Sequence, residues 1–183
     1  MNLFATDPSP ERSARVLDDR RVIKMAVESA QLLSAAMDRA GRPGPYRPTH
    51  RAHPATRWTG ATRGNFEWVR RHFVALTREY TRRFGRVHAS ALHAERFAAA
   101  VLWMPPGRRR PFVNLSAHPR VRPTTRAYRR RLREKWAAGN PPPRWTRSRP
   151  PSWAPAAVRR RTGAEASMPS RRVRRRRTVG QSR

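Results

Sequence analysis

Between Asp18 and Ala40 the apolar residues recur at steps of three and four: Val22, Met25, Ala26, Leu32, Leu33, Ala36, Met37 and Ala40. That is one face of a 3.6-residue period, and it predicts a long amphipathic helix. Beside the apolar face runs a polar line of Arg21, Lys24, Glu28 and Gln31. A carboxylate flanked by cations in such a helix is a candidate for acid, base or charge-stabilising work. The alternative is an exposed Lys24–Glu28 pair one turn apart, contributing ~0.3–0.5 kcal/mol.

The same pattern predicts the neighbouring elements. Leu3-Phe4-Ala5 reads as buried, and Ser9-Pro10-Glu11 opens a short helix to about Leu17. Gly41 closes the long helix as a left-handed cap. Residues 41–54 form a Pro/Gly-rich loop carrying Tyr46, Arg47, His50, Arg51 and His53. Ala55–Ala61 reads as a helical turn anchored by Trp58, and Asn65–Phe84 as a second long helix. Phe66, Val69, Phe73, Leu76, Thr77, Tyr80 and Phe84 mark the core face of that helix. A second stripe, Asn65, Trp68, His72 and Glu79, either joins the core or faces Glu28 across a groove. Ser90 reads as the cap of a third helix to Trp103, with Leu92, Phe97, Val101 and Leu102 as its apolar set. A break follows at Met104–Gly107, then the basic run Arg108–Arg110 and the extended piece PFVNL. A last helix from Thr124, closed by Gly139, carries Tyr128, Leu132 and Trp136 at i, i+4, i+8. The expected fold is mostly α: a compact bundle of about four helices over residues 1–140. Beyond it 13 arginines stand against one acid, so residues 141–183 read as a disordered polybasic tail. Trp145 and Trp153 could tack its first part onto the core.

Charge narrows the partner. The 183 residues carry a formal net charge of +31, and a polyanion is the expected ligand. Of 42 basic residues only Lys24 and Lys135 are lysines, so 40 are arginines. Arginine suits bidentate contacts to phosphate and guanine, although a GC-rich genome produces the same bias. The absence of cysteine excludes disulfides and Cys-ligated zinc. His50 and His53 have no acidic neighbour in sequence to complete a metal site, so neither metal nor cofactor is expected. No apolar run approaches the ~20 residues of a membrane span, and Met1–Pro10 does not resemble a signal peptide. A cytoplasmic, nucleoid-associated monomer is the expectation.

Residues 2–93 bring together a polar-lined first helix, the run His-Pro-Ala-Thr-Arg-Trp at 53–58, and a long helix ending Glu79…Arg83-Phe84-Gly85…His88. This order resembles the small helical pyrimidine-dimer DNA glycosylases of phages and bacteria, the endonuclease V type. That family has a basic or histidine residue seven positions before its catalytic glutamate, a spacing that Arg21 and Glu28 match. The resemblance implies a base-excision glycosylase with lyase activity on damaged pyrimidines in duplex DNA. Glu28 would then be the catalytic acid, with an α-amine as nucleophile. DNA contacts would fall to Arg20, Arg21, Tyr46, Arg47, His50, Arg51, His53, Arg57, Trp58, Asn65, Trp68 and His72. One position departs from the pattern. The family's nucleophile is the amine of a threonine exposed when Met1 is removed, and residue 2 here is Asn2, so either the Met1 amine serves or the chemistry is absent. An α-amine titrates near ~7.7–8.0, so a neutral nucleophile is accessible at physiological pH. Lys24 is the other amine able to form a Schiff base. Two rival readings stand beside this one. One is a non-enzymatic arginine-rich nucleic-acid-binding protein; the other is a phage-type base- or nucleotide-modifying enzyme using Asp18, Asp19, His50 and His53.

Overall fold

Ser9 begins the first helix as expected, its hydroxyl accepting the Arg12 N–H at 3.2 Å ahead of Pro10. In the computed structural model, which describes the backbone of residues 1–166 and side chains to 162, the order is α1 (Pro10–Arg15), α2 (Asp19–Arg39), α3 (Pro54–Thr59) and α4 (Arg63–Phe84). There follow α5 (Ala94–Ala99), flanked by short 3-10 turns, then α6 (Thr124–Ala137) and α7 (Ala156–Ala166). No strand forms among the described residues, and PFVNL is irregular. No helix among them is long and apolar enough to cross a membrane.

The fold centres on α2 packed against α4, with α1 across α4 and α3 on α2. Val22, Met25, Leu32, Leu33 and Met37 of α2 meet Phe66, Val69, Phe73 and Leu76 of α4 in one core. Leu3, Phe4 and Ala5 are buried with them, as are Tyr128, Leu132 and Trp136 from α6. Gly41 (φ 73°) and Gly85 (φ 68°) end the two long helices in the left-handed conformation that glycine adopts without steric cost.

Three expectations need correction. The third helix is shorter than its pattern: α5 begins only at Ala94, and the 3-10 turn ahead of it is capped by His88, not Ser90, the His88 Nδ1 accepting the Ser90 N–H at 3.1 Å. Leu92 and Leu102 are 74% and 72% exposed, because the alanine-rich stretch packs through Phe97, Ala100 and Met104, with Ala94 and Val101 partly buried beside them. The second concerns α4, where one turn is tied by a charge. Arg83 is buried, and its guanidinium donates to Leu17 O (2.8 Å), Arg15 O (3.1 Å) and Asp19 Oδ1 (3.1 Å), while Nε donates to Glu79 Oε2 (3.2 Å). A fork of donors in a fixed plane can satisfy several groups at once, which is why an arginine is tolerated there. Phe84, expected in the core, is only half-buried beside it.

Third, residues 141–162 pack on the domain, where the composition suggested the start of a tail. Trp136 stacks on Trp153 (centroids 5.2 Å apart, 22°) and meets Trp145 edge-on at 5.1 Å. Trp145 donates through Nε1 to Val16 O at 3.1 Å. Thr146 places its N–H and hydroxyl on the Asp19 carboxylate, and the Asp19 N–H donates to Arg144 O at 2.9 Å. Two tryptophans and a paired carboxylate hold a segment whose average composition is disorder-prone. The basic block Arg171–Arg177 lies outside the described residues.

Candidate active site

Glu28 stands halfway along α2, where the amphipathic face gives way to the polar line. Its side chain is only 14% exposed. One oxygen, Oε2, accepts the backbone N–H of Asn2 at 2.9 Å, and the other, Oε1, lies 3.4 Å from Lys24 Nζ. The Lys24–Glu28 pair exists, with Lys24 73% exposed, but the carboxylate also holds the start of the chain.

The N-terminal segment is bent to reach it. Phe4 has φ 42°, an uncommon conformation for a bulky side chain. Asn2 stabilises the bend: its Oδ1 accepts the Phe4 N–H at 2.9 Å, and its amide donates to Leu115 O at 3.4 Å. Such strain persists only where surrounding contacts over-determine it, and it concentrates at functional sites. Here it sets residue 1 at the rim of a cleft of about 430 Å³, lined by Phe4, Arg20, Arg21, Lys24, Glu28 and Lys135 among others.

Lys135, from α6, was not anticipated as part of the site. Burial lowers its pKa, and the nearby positive charges of Arg131, Arg21 and Lys24 lower it further. A signal for it was present in the composition. The chain's two lysines, Lys24 and Lys135, lie 111 residues apart in an arginine-dominated sequence, and both line this cleft. Asn2 was read only as an obstacle to methionine removal, whereas its backbone N–H is the group that meets Glu28.

The expected DNA-contacting residues divide by burial. Arg20, Arg47, His50, Arg51 and Arg57 are exposed. Arg51 forms an ion pair with Asp38 at 2.6 Å. Arg21 is half-buried, and its guanidinium is held by Asp18 Oδ1 at 2.7 Å. Tyr46 is half-buried, sharing a hydrogen bond with Ser90 Oγ at 2.8 Å and meeting the ring of His93 edge-on. His53 is half-buried, its Nδ1 accepting the Ala55 N–H at 3.1 Å. Burial lowers its pKa, reinforced by the positive charge of the residue-1 amine and by His50, while Glu28 opposes the shift. That pattern places His53 near the start of the chain and Glu28.

Trp58, Asn65, Trp68 and His72, by contrast, are scaffold. Trp58 donates to Pro111 O at 2.7 Å, and Asn65 donates to Trp58 O at 2.6 Å. Trp68 donates to Pro8 O at 2.7 Å and stacks on His72, which is fully buried. All four side chains are buried, and Trp58 and Trp68 both pack on Phe112. The carboxylates of the base-modifying reading are also engaged. Asp18 is buried, with Oδ1 accepting from Arg21 and from Trp136 Nε1 (3.0 Å), and Asp19 is held by Arg83 and Thr146.

A family model described as pyrimidine dimer DNA glycosylase matches residues 1–92. The chain belongs to this family. No curated protein and no solved structure matches it. The family segment contains α1 to α4, Glu28, Lys24 and the bent N-terminus, and it makes DNA the substrate. Lys135 and the 139–143 wall of the cleft come from beyond it.

Proposed function

We propose that this family member couples base release to a lyase step on damaged pyrimidines in duplex DNA, with the residue-1 amine as nucleophile and Glu28 beside it. The amine nitrogen attacks C1′ of the extruded nucleotide, and the C1′–N glycosidic bond breaks with its electrons leaving on the base. Glu28 supports the charge change and relays a proton to O4′ as the C1′–O4′ bond opens, and loss of the nitrogen's protons leaves a C1′=N Schiff base on the ring-opened sugar. Elimination from that intermediate cleaves the strand. The observation that carries this reading is the 2.9 Å hydrogen bond from Asn2 N–H to Glu28 Oε2, which holds the neighbour of residue 1 on the carboxylate. Arg20, Arg21, Lys24 and Lys135 surround the cleft with positive charge suited to the phosphates flanking an extruded nucleotide.

A non-enzymatic reading draws on the +31 charge alone. The two separate on one test, borohydride reduction with duplex bearing a pyrimidine dimer or an abasic site. The enzyme reading yields a covalent protein–DNA adduct; the binding-module reading yields retention without an adduct.

A further inference from the structure

The basic run Arg108–Arg110 lies outside the family-matched segment, and its backbone is held unusually well for an exposed loop. Residues 105–111 cross the first turn of α4 and bond to it at successive points. Arg63 N–H donates to Pro105 O (2.6 Å) and Gly64 N–H to Gly107 O (3.0 Å). Thr62 Oγ1 donates to Arg108 O (3.1 Å), and Arg110 N–H donates to Asn65 Oδ1 (2.7 Å). Trp58 Nε1 closes the series on Pro111 O (2.7 Å). At Gly64 a Cβ would overlap the backbone of Arg108 and Arg109, so the close approach requires glycine there.

The backbone is fixed while the side chains face out. Arg108, Arg109 and Arg110 are all exposed, and among the described residues none of the three joins an ion pair. The nearby carboxylates are already taken, Glu67 by Arg70 at 2.6 Å and Glu11 by Arg71 at 2.8 Å. The Arg109 guanidinium lies over the Phe112 ring at 4.4 Å, which orients it without neutralising it. Three unneutralised guanidinium groups on a rigid ribbon carry little ordering cost on meeting an anionic surface.

The ribbon also leads to the cleft. Five residues past Arg110, Leu115 O accepts the Asn2 side-chain amide, and Asn2 in turn sits on Glu28. Five residues span at most about 17 Å, roughly five base steps of duplex at ~3.4 Å each.

We infer that the Arg108–Arg110 ribbon is a second contact surface for duplex DNA, gripping phosphates to one side of the nucleotide held over Glu28. The inference rests on the proposed site for its placement, but it is tested without any chemistry. The full chain and an Arg108→Gln/Arg109→Gln/Arg110→Gln variant are compared for binding to an undamaged duplex across a salt series. A charge-matched control, Arg78→Gln/Arg86→Gln/Arg133→Gln, removes three exposed arginines elsewhere. Each lost phosphate contact lowers the slope of log K against log[salt] by about 0.9, so the ribbon variant should be shallower by about two to three, and the control by less than about one. Equal slopes in the two variants, or a ribbon variant like wild type, would overturn the inference. Thermal unfolding of both variants should match wild type, since the substituted side chains are exposed. Loss of cleavage in Glu28 variants with normal slopes tests the active-site reading separately, so the two failures are distinguishable.

Discussion

The backbone N–H of Asn2 donates to Oε2 of Glu28 at 2.9 Å, across 26 residues of sequence. The bond joins the start of the chain to the middle of α2, and it makes a sharp prediction. In Glu28→Gln the amide oxygen can still accept from Asn2, so fold and DNA affinity should persist. What disappears is the ionisable carboxylate, and base release or strand cleavage should fall by about 10²–10⁴-fold. The measurement is single-turnover cleavage of ultraviolet-irradiated duplex, run beside filter binding. Retained cleavage would remove Glu28 from the mechanism.

His72 carries a pH-dependent stability contribution. It is fully buried, neither ring nitrogen has a hydrogen-bond partner, and burial pushes its pKa down to about 3. Because the folded value lies below the unfolded one, the unfolded chain binds a proton between about pH 6.5 and 3 that the native state does not. Stability from this group is complete above pH 6.5 and is lost as pH falls through that window, by up to ~1.4 kcal/mol per pH unit. His72→Phe keeps the stack on Trp68 and removes this titration, so the wild-type minus mutant stability difference should fall steadily as pH drops from 6.5. Denaturant unfolding from pH 7 to pH 4 checks it; parallel curves would contradict the assignment.

Arg83 anchors three elements through Glu79, Asp19 and two carbonyl oxygens. Arg83→Met leaves both carboxylates without their buried partner, so unfolding free energy should drop by about 3–5 kcal/mol. Arg82→Met next door, with Arg82 half-exposed, should cost under about 1 kcal/mol. Similar losses in the two variants would mean that Arg83 is not the tie its contacts describe.

Ending the chain after residue 140 removes Trp145 and Trp153 from Trp136 and strips Thr146 from Asp19. The truncated protein should melt well below the full chain, with Trp136 newly exposed to quenchers in fluorescence. An unchanged melting temperature would show that the segment merely rests on the domain.

Much of this architecture was legible because α2 and α4 follow a strict helical period with a glycine closing each, and Gly41 and Gly85 take the conformation that position needs. Legibility failed where long-range contacts overrode composition. Residues 141–162 look disordered on average, yet individual tryptophans fix them through partners more than a hundred residues away, such as Val16. Arg83 sits in the core register of α4, three residues past Tyr80, but its charge read against burial. At the candidate site, the spacing of Arg21 and Glu28 pointed to α2, but the meeting of Asn2 with Glu28 goes with the Phe4 bend, which no periodicity encodes. The aromatic stripe of α4 was ambiguous for a different reason: the same spacing serves a groove or a core, and Trp68 stacked on His72 belongs to the core.

The central claim is that the amine of residue 1, held beside Glu28, forms a covalent intermediate with the sugar. Borohydride reduction of the protein with dimer-containing duplex, followed by proteolysis and mass mapping, tests it most directly. The account predicts one adduct, on the amino-terminal peptide, and its loss when that amine is blocked by acetylation. An adduct on Lys24 or Lys135, or none on a duplex that the protein demonstrably binds, would contradict it.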